Sequence, residues 1–463
     1  MSLDKAQQSR TAAGLRALHK TSTPAWGGAV APVSQPAGAG WPRSAGILPA
    51  GVGQGQPRSA GILPAGAGQT PALQGTLRRA TSRASFVLLA LLLGVSLALQ
   101  SCDGLSGESG HFRPVSSIGS AASGTPLAVN QDGRFQGHIA FIRNHQLYIL
   151  DGKTGNTRVL PAGANVQDPA YSPNGSRLTY ISRGAAWSDI MMIPASGGAP
   201  SALTHNQGTD QQITCPNGVS ESDGVWAASP IWAADGASLY YLSDQQKLSM
   251  ACGFVDLAVW QVAAQGGAPH LVLWPARGKD TTGLPGAGGD ANLALRPGAP
   301  DELAYTHYAY DPQQSDSQLI QLFVAALSSQ QETPLSPPAV DTTPEQALEP
   351  AWSPDGQYLA YIRRNGDSND LSVIHVSSPA SGAPHYADYA TAARLLSLSR
   401  PIAYPVWSPD GKSLLFLAFN ENEYDLYLAQ LSFNGSGISL QGSPIQLTQG
   451  GVDGDSRPAW TGA

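Results

Sequence analysis

One phrase recurs along this 463-residue chain and limits what it can fold into. It reads "EPAWSPDGQYLAYIRR" at residues 349–364 and "YPVWSPDGKSLLFLAF" at residues 404–419. Three more degenerate copies begin at Asp168, Ser229 and Asn292. The five copies start 55 to 63 residues apart, a period that indicates one supersecondary unit repeated along the chain.

Each copy has the pattern of antiparallel strands. A short strand ends at Trp407, and residues 408–411 then read Ser-Pro-Asp-Gly, in which Pro presets φ and Gly takes the positive φ that closes a turn. Residues 414–419 form an apolar strand, and two further strands follow in each unit. Repeated four-stranded antiparallel units predict an all-β fold, the β-propeller. Candidate third strands, which predict six blades, start at residues 146, 189, 257, 319, 370 and 425.

The two ends of the repeated region complement each other. The first unit, at residues 137–160, has no Pro-aromatic strand of its own, and the chain ends on an orphan strand of that type, "RPAW" at residues 457–460. A C-terminal strand that completes the first blade closes the ring and leaves no open edge. The sequence therefore predicts a six-bladed propeller of four-stranded blades that is closed by the C-terminal strand.

The phrase "PAWSPDGQYLAYI" resembles the repeat of TolB-like, WD-like β-propeller proteins, and the resemblance extends over residues 137–463. The resemblance implies the propeller fold and is much less specific for function. TolB itself carries an α/β domain before its propeller, which the 33 residues between Cys102 and Gln136 cannot hold. The partner of TolB, a peptidoglycan-associated lipoprotein, is therefore not transferred to this chain.

The N-terminal part of the chain has a different character. Residues 1–76 contain the duplicated segment "PRSAGILPAG" among Gly, Ala, Pro and Gln, which indicates a disordered or wrongly assigned extension. Residues 77–101 combine three Arg with the apolar run "SFVLLALLLGVSLAL", a pattern typical of an export signal. Residues 99–102, Leu-Gln-Ser-Cys, resemble a bacterial lipobox, so Cys102 is predicted to be lipidated and to begin the mature chain. An uncleaved N-terminal anchor is the alternative.

Composition after Cys102 narrows the range of partners. Residues 102–135 are rich in Gly, Ser and Ala, which predicts a flexible tether before a propeller at residues 136–463. From residue 103 onward the chain has 17 Lys and Arg against 32 Asp and Glu, a net charge of 17 − 32 = −15. An acidic surface repels a phosphate backbone, so nucleic-acid binding and a polybasic lipid contact are disfavoured. Membrane attachment then depends on the lipid anchor.

Two cysteines remain in the mature chain. Cys215 and Cys252 form an even pair in a compartment that can be oxidising, and both lie in long excursions between strands. They are candidates for a disulfide bond, and two buried free thiols are the alternative.

Catalytic motifs are missing from the sequence. It contains no Gly-x-Ser-x-Gly, His-Glu-x-x-His or Cys-x-x-Cys motif and no phosphate-binding Gly-rich loop. The recurring Ser and Asp lie in turns repeated around a ring, whereas a nucleophile or a general base is needed only once. His307 and His375 lie in strand-like runs, as structural histidines do. The sequence therefore predicts a non-enzymatic protein without a cofactor.

The residue before each Pro-x-aromatic segment is polar and differs between copies. If the first strand is innermost, as in related propellers, these residues surround one mouth of the central channel, where a varied polar ring suits ligand binding. Solvated strand starts are the alternative. No metal site is predicted, although carboxylates such as Asp168 and Glu349 are weak candidates for holding a cation. The six residues are Asp168, Ser229, Asn292, Glu349, Tyr404 and Arg457.

Two insertions, at residues 203–228 and 276–291, exceed what a blade turn needs and are further candidates for recognition, the second also for disorder. Together these features predict an exported, lipid-anchored, monomeric propeller that acts as a non-catalytic protein- or ligand-binding or scaffolding module at the cell envelope. Its expected location is the outer face of the cytoplasmic membrane or the periplasm, and its expected partner is an envelope protein or peptide. The alternatives are a lyase- or hydrolase-type propeller enzyme with its site in the channel, and a sensor ectodomain.

Overall fold

A computed structural model shows how the repeats fold. The predicted signal segment, the lipidation site Cys102 and the candidate disulfide residues Cys215 and Cys252 lie outside the described residues, as do residues 1–76. The structure describes residues 111–115, 126–209, 211–214, 220–248, 257–274, 288–310, 318–336, 345–366, 368–377, 385–386, 389–420, 422–435 and 437–463.

The regular structure of the described residues is β, apart from two short 3-10 helices at Gln245–Leu248 and Tyr389–Thr391. No helix within the described ranges has the length and apolar character needed to cross a membrane. The strands of the first half are β1 (Phe112–Pro114), β2 (Ala128–Asn130), β3 (His138–Arg143), β4 (Gln146–Asp151), β5 (Thr157–Val159), β6 (Val166–Tyr171), β7 (Arg177–Arg183), β8 (Ser188–Pro194), β9 (Ser201–Ala202), β10 (Gln212–Thr214), β11 (Ser220–Ser222), β12 (Ala227–Trp232), β13 (Ser238–Ser243), β14 (Ala258–Ala263) and β15 (His270–Leu273). The strands of the second half are β16 (Gly288–Leu295), β17 (Glu302–Tyr310), β18 (Gln318–Ala326), β19 (Gln331–Pro334), β20 (Gln346–Trp352), β21 (Tyr358–Asn365), β22 (Ser368–Ser377), β23 (His385–Tyr386), β24 (Ala393–Leu398), β25 (Ile402–Trp407), β26 (Ser413–Asn420), β27 (Glu423–Asn434), β28 (Gly437–Leu440), β29 (Ile445–Gln446), β30 (Thr448–Gln449) and β31 (Ala459–Thr461).

Strands that follow one another in the chain pair antiparallel into sheets. Sheet I has the order β31-β3-β4-β5, sheet II β6-β7-β8-β9, sheet III β12-β13-β14-β15 and sheet IV β16-β17-β18-β19. Sheet V contains β20, β21 and β22, with β23 and β24 both on β22, and sheet VI contains β25, β26 and β27, with β28 and β29 both on β27. Sheet VII has three strands in the order β1-β2-β30, and β10 pairs with β11 alone.

The predicted count of six blades is wrong. Seven sheets of three or more strands are present within the described residues, and two of them, V and VI, have five strands rather than four. The additional sheet arises because β1 and β2 lie within residues 102–135, whose composition indicated a tether. Leu127 and Val129 in this segment are only 3% and 2% exposed, and β2 pairs with β30. Alternate side chains face the same side of a strand, and both residues are buried in the cluster shared with sheets VI and I.

The first strands of the sheets form the inner wall of a propeller. The strands β6, β12, β16, β20 and β25 contact one another in chain order, and β31 contacts both β25 and β6. β31 pairs with β3 in the register Ile139 to Trp460, so the C-terminal strand closes the ring as the split repeat predicts. The apolar core lies between neighbouring sheets, with one buried cluster joining sheets VI, VII and I and another joining sheets I and II.

The repeated Ser-Pro-Asp-Gly segments are turns, as predicted. The Ser408 hydroxyl donates to Asp410 Oδ1 at 2.6 Å and accepts the Ser413 N–H at 2.9 Å. Gly411 has φ 70°, in the left-handed region that favours glycine. Ser353 and Asp355 repeat the hydroxyl-to-carboxylate bond at 2.5 Å. The recurring Ser and Asp therefore close turns.

Candidate binding site at the mouth of the ring

The first strands of sheets II to VI each carry a β-bulge at the predicted site residue. The pairing register shifts there in β6, β12, β16, β20 and β25. The bulge residue has a left-handed backbone, which costs a residue other than Gly about 1 kcal/mol. Strain at the same place in five sheets indicates that the geometry of the ring requires it. The φ angles are 48° at Asp168, 48° at Ser229, 53° at Asn292, 58° at Glu349 and 51° at Tyr404.

The Asp168 carboxylate joins three sheets. It accepts the backbone N–H of Arg457, next to sheet I, at 3.1 Å and also the backbone N–H of Ser229 in sheet III. The N–H of Asp168 itself donates to Ser456 Oγ at 2.9 Å. Burial raises the pKa of the Asp168 carboxyl, and the N–H donors oppose that rise. The side chain therefore holds neighbouring first strands together.

Glu349 makes the corresponding connection among sheets IV, V and VI. Its Oε2 accepts the Tyr404 N–H at 2.5 Å, and its own N–H donates to Thr306 Oγ1 at 2.9 Å. The residue is 1% exposed. Burial raises the pKa of the Glu349 carboxyl, and the positive charges of Arg364 and Arg457 oppose that rise. Glu349 is thus a buried link of the ring, not a solvated strand start.

Arg457 extends across the ring. It lies just before β31, yet its guanidinium donates to the Leu293 carbonyl oxygen in sheet IV at 2.9 Å and to the Pro350 carbonyl oxygen in sheet V. Burial lowers the pKa of Arg457, and the negative charges of Glu349 and Asp168 oppose that change. One side chain therefore connects sheet I with sheets IV and V at the level of the bulges.

The two faces of the ring differ. The first strands begin, the second strands end and the third strands begin on one face, which we call the mouth face. The Ser-Pro-Asp-Gly turns follow the first strands and lie on the opposite face, the turn face. Connections from a fourth strand to the next first strand run on the mouth face, so the described ends of both predicted insertions lie there.

Three further side chains, Tyr308, Arg364 and Tyr424, form what we call the mouth cluster. All three lie near strand ends on the mouth face, in β17, β21 and β27. The Glu349 N–H bonds to Thr306, two residues before Tyr308 in β17, and the positive charge of Arg364 acts to lower the pKa of Glu349, Tyr308 and Tyr424. Burial outweighs this effect and raises the pKa of Tyr424 to about 12. The cluster therefore joins a cation with two phenols beside Glu349.

The described part of the insertion at residues 203–228 is fixed to the mouth face. The Asn206 N–H donates to Asp189 Oδ1 at 2.7 Å. Lys247 Nζ donates to the Gly224 carbonyl oxygen at 2.5 Å and to Asp244 Oδ2 at 2.8 Å, with both charged side chains 1% exposed. Most of the second insertion, residues 275–287, lies outside the described residues.

The structure brings four of the six predicted site residues into direct interaction: Asp168, Glu349, Tyr404 and Arg457. Ser229 joins them through its N–H, and Asn292 occupies the equivalent bulge in sheet IV. As for the cation suggested for Asp168 and Glu349, the described residues contain no group of three or more His, Cys, Asp or Glu that could hold a metal ion.

Sequence reasoning missed the mouth cluster. Its members lie at the ends of second strands or at the start of a third strand, outside the repeated phrase that drew attention to the first strands. Arg364 is the last residue of the segment "EPAWSPDGQYLAYIRR". A basic residue at the end of an apolar strand was therefore a signal that could have pointed to it. Nothing in the sequence connects Tyr308 with Tyr424, because only the closed ring brings them together.

The sheets and the ring of first strands define a β-propeller. No protein-family model matches the chain. Among solved structures, it is similar to TolB from Acinetobacter baumannii, with a TM-score of 0.44 and 15% identity over 72% of this chain and 68% of that chain. It is also similar to a putative TolB from Agrobacterium tumefaciens, with a TM-score of 0.41 and 13% identity over 69% of this chain and 99% of that chain. The β-propeller fold that the resemblance implies is the fold that the sheets of this chain form.

Peptidases are also among the similar proteins. The uncharacterised peptidase YuxL of Bacillus subtilis (strain 168) is 32% identical over 72 residues, which are 15% of this chain and 9% of YuxL. The chain thus matches less than a tenth of the length of this curated relative. A puromycin-hydrolysing peptidase from Mycobacterium tuberculosis has a TM-score of 0.36 and 14% identity, over 59% of this chain and 38% of that chain.

Proposed function

We propose that this chain is a non-catalytic binding module of the cell envelope, exported and held by a lipid on Cys102, that binds a protein or peptide segment at the mouth of its ring. The supporting observation is a division of roles among the polar residues. Asp168 and Glu349 accept backbone N–H groups and link the sheets. The side chains of Tyr308, Arg364 and Tyr424 make no hydrogen bond within the described residues.

Structural roles of the carboxylates favour binding over catalysis. A general acid or base needs an oxygen within reach of the substrate. Asp168 already accepts two N–H groups, and Glu349 is 1% exposed. His307, which neighbours Tyr308 in β17, bonds through Nδ1 to Asp290 Oδ1 at 2.9 Å, and both side chains are buried. These groups therefore serve the fold.

The composition of the mouth suits a polypeptide ligand. Tyr and Arg dominate the energetics of protein interfaces, because they offer large contact area together with hydrogen-bond donors. The half-buried Tyr424 and Arg364 supply these groups on the mouth face, where Tyr308 is buried. On the rim, Arg183 lies over the ring of Trp226, 5.6 Å from its centroid. Such a surface recognises side chains without chemical change.

Photo-crosslinking in intact cells tests the proposed binding site. Benzoylphenylalanine replaces Tyr424 on the mouth face in one variant and the exposed Gln357 on the turn face in the other. We expect a discrete protein adduct from position 424 and none from position 357. Adducts of equal yield from both positions, or none from position 424, would contradict binding at the mouth.

Metabolic labelling tests the anchor. Cells that make the wild-type chain or the Cys102→Ala variant are grown with a tagged fatty acid. We expect label in the wild-type chain and none in the variant. Equal labelling of the two proteins would rule out lipidation at Cys102.

A further inference from the structure

Arg364 is a half-buried cation near the end of β21 on the mouth face. Within the described residues its side chain makes no hydrogen bond and no ion pair. The adjacent Arg363 is a contrast, since it pairs with Glu345 at 2.7 Å and lies over the ring of Tyr389. Successive side chains of a strand face opposite sides of the sheet. The guanidinium of Arg364 therefore faces the opposite side of the sheet from the Arg363–Glu345 ion pair.

Two buried polar groups of sheet IV also have no partner. Tyr308 is 9% exposed and Asn292 is 8% exposed. Neither the Tyr308 hydroxyl nor Asn292 Oδ1 has a hydrogen-bond partner within the described residues. A buried polar group without a partner loses its hydration with nothing in exchange, so its presence calls for an explanation such as a ligand. Tyr308 lies two residues after Thr306, whose hydroxyl accepts the Glu349 N–H, and Asn292 lies in the bulge of the adjoining strand β16.

We infer that Arg364 and Tyr308 form a subsite for a carboxylate group of the polypeptide ligand. A guanidinium presents two parallel N–H groups that match the two oxygens of a carboxylate, and the Tyr308 hydroxyl adds a third donor. Asn292 Oδ1 then accepts an N–H of the same ligand. The inference rests on the proposed function and names the chemistry that this site selects.

The surrounding charge makes the subsite selective. The chain after residue 102 carries a net charge of 17 − 32 = −15, so its surface in general repels an acidic ligand. At the mouth, the negative charges of Glu349 and Asp168 act on Arg457, whereas Arg364 makes no ion pair within the described residues. An acidic ligand group is therefore attracted by Arg364, while the acidic surface elsewhere repels it.

Titration calorimetry with two pairs of peptides tests the subsite on the full chain. One pair is acetyl-Gly-Gly-Glu-Gly-Gly-amide and its Gln counterpart, and the other is acetylated pentaglycine with a free or an amidated C-terminus. We expect the charged member of one pair to bind at least about tenfold more tightly than its neutral partner. The pair that shows the difference identifies a side-chain or a terminal carboxylate as the group bound.

Variants then assign the preference to residues. Arg364→Gln should abolish the difference between charged and neutral peptides, Tyr308→Phe should reduce it severalfold, and Arg364→Lys should retain part of it. The matched control Arg363→Gln should leave it unchanged. A wild-type chain without any preference overturns the inference, and so does an undiminished preference in Arg364→Gln.

The same variants separate this inference from the proposed function. Unfolding midpoints in urea establish that the variant chains are folded before their binding is compared. If the chain with benzoylphenylalanine at position 424 gives crosslinks while the wild-type chain shows no carboxylate preference, binding at the mouth stands and the subsite is wrong. If position 424 gives no crosslinks either, both the proposed function and the subsite are wrong.

Discussion

Arg457 occupies the place in the incomplete last copy of the repeat that Glu349 and Tyr404 occupy in complete copies. The three residues share a position and differ in chemistry, and the differences complement one another in the closed ring. Glu349 accepts the Tyr404 N–H, whereas Arg457 donates to carbonyl oxygens of sheets IV and V. The residue at this position differs between copies, and these different side chains make the contacts that close the ring.

Removal of the Arg457 guanidinium should weaken the whole ring. Arg457→Met keeps most of the apolar stem but leaves the Leu293 and Pro350 carbonyl oxygens without their donor. We expect the free energy of unfolding to fall by about 3 kcal/mol, because unpaired polar groups in a closed interior are costly. Urea unfolding measures the change. The exposed Arg134→Met is the control and should change stability by less than about 0.5 kcal/mol; equal losses in both variants would contradict the role of Arg457.

Asp425 should make stability depend on pH near neutrality. Its Oδ1 accepts the Thr448 hydroxyl at 3.0 Å, and burial raises the pKa of the carboxyl to about 7. Because the folded-state pKa lies above the unfolded value, the contribution of this group is fully present below about pH 4 and is lost as pH rises through 7. At about 1.4 kcal/mol per pKa unit, the loss reaches about 4 kcal/mol at most.

Asp425→Asn removes this titration while keeping an oxygen for Thr448. We expect the variant to gain stability relative to wild type as pH rises from 4.5 to 8, and to differ least at pH 4.5. Urea unfolding at several pH values measures the difference. Asp235→Asn in an exposed turn provides the matched control. A difference between Asp425→Asn and wild type that stays constant across this range would show that Asp425 does not titrate there.

Among the elements, the second strands of sheets I to VI share an aromatic position. An aromatic residue stands at the fourth position of each second strand in sheets I to VI, and none of these side chains is more than 2% exposed. Period-two alternation places this residue on a face that packs against a neighbouring sheet. The residues are Phe141, Tyr180, Tyr241, Tyr305, Tyr361 and Phe416.

Shortening one of these aromatic side chains should lower the free energy of unfolding far more than shortening an exposed aromatic side chain in the same sheet. Phe416 is 0% exposed, while Phe433 in β27 of the same sheet is 42% exposed. We expect Phe416→Ala to lower the free energy of unfolding by about 3–5 kcal/mol and Phe433→Ala by less than about 1 kcal/mol. Chemical denaturation of both variants gives the comparison, and similar losses would show that the aromatic position is not a core position.

The parts of the fold that the sequence predicts are those fixed by local chemistry. Pro409 and Gly411 determine their turn within a few residues, and the copies recur often enough to identify one repeating unit. The strands β1 and β2 were missed because their pairing depends on β30, more than 300 residues away. The bulge residues were predicted from the repeat, whereas Arg364 and Tyr308 belong to no shared pattern. Individual binding residues leave no periodic signal.

On the scale of the whole molecule, the strand directions determine which face lies nearest to the predicted anchor. β27 runs from the mouth face towards the turn face, and Tyr427 pairs with Gln446, so β29 and β30 run back towards the mouth face. β2 is antiparallel to β30 and β1 is antiparallel to β2. The chain therefore enters β1 at Phe112 from the turn face.

This direction predicts how a lipid-anchored chain is oriented on its membrane. Only nine residue steps connect Cys102 with His111, a reach of about 30 Å, so a lipid on Cys102 holds the turn face towards the bilayer and leaves the mouth face open to partners. Two single-cysteine variants test this in a Cys215→Ser, Cys252→Ser background that retains Cys102. Lys412→Cys lies on the turn face and Asn422→Cys on the mouth face, at opposite ends of the same strand β26 and both at exposed positions.

With a fluorophore on the introduced cysteine and the protein in lipid vesicles, nitroxide-labelled headgroups should quench position 412 strongly and position 422 weakly. The eight residues of β26 separate the two sites by about 25 Å, which exceeds the range of contact quenching. Removing the lipid by Cys102→Ala should abolish quenching at both sites. Stronger quenching at position 422 would mean that the mouth faces the membrane, where a partner from outside could not reach Arg364 and Tyr308.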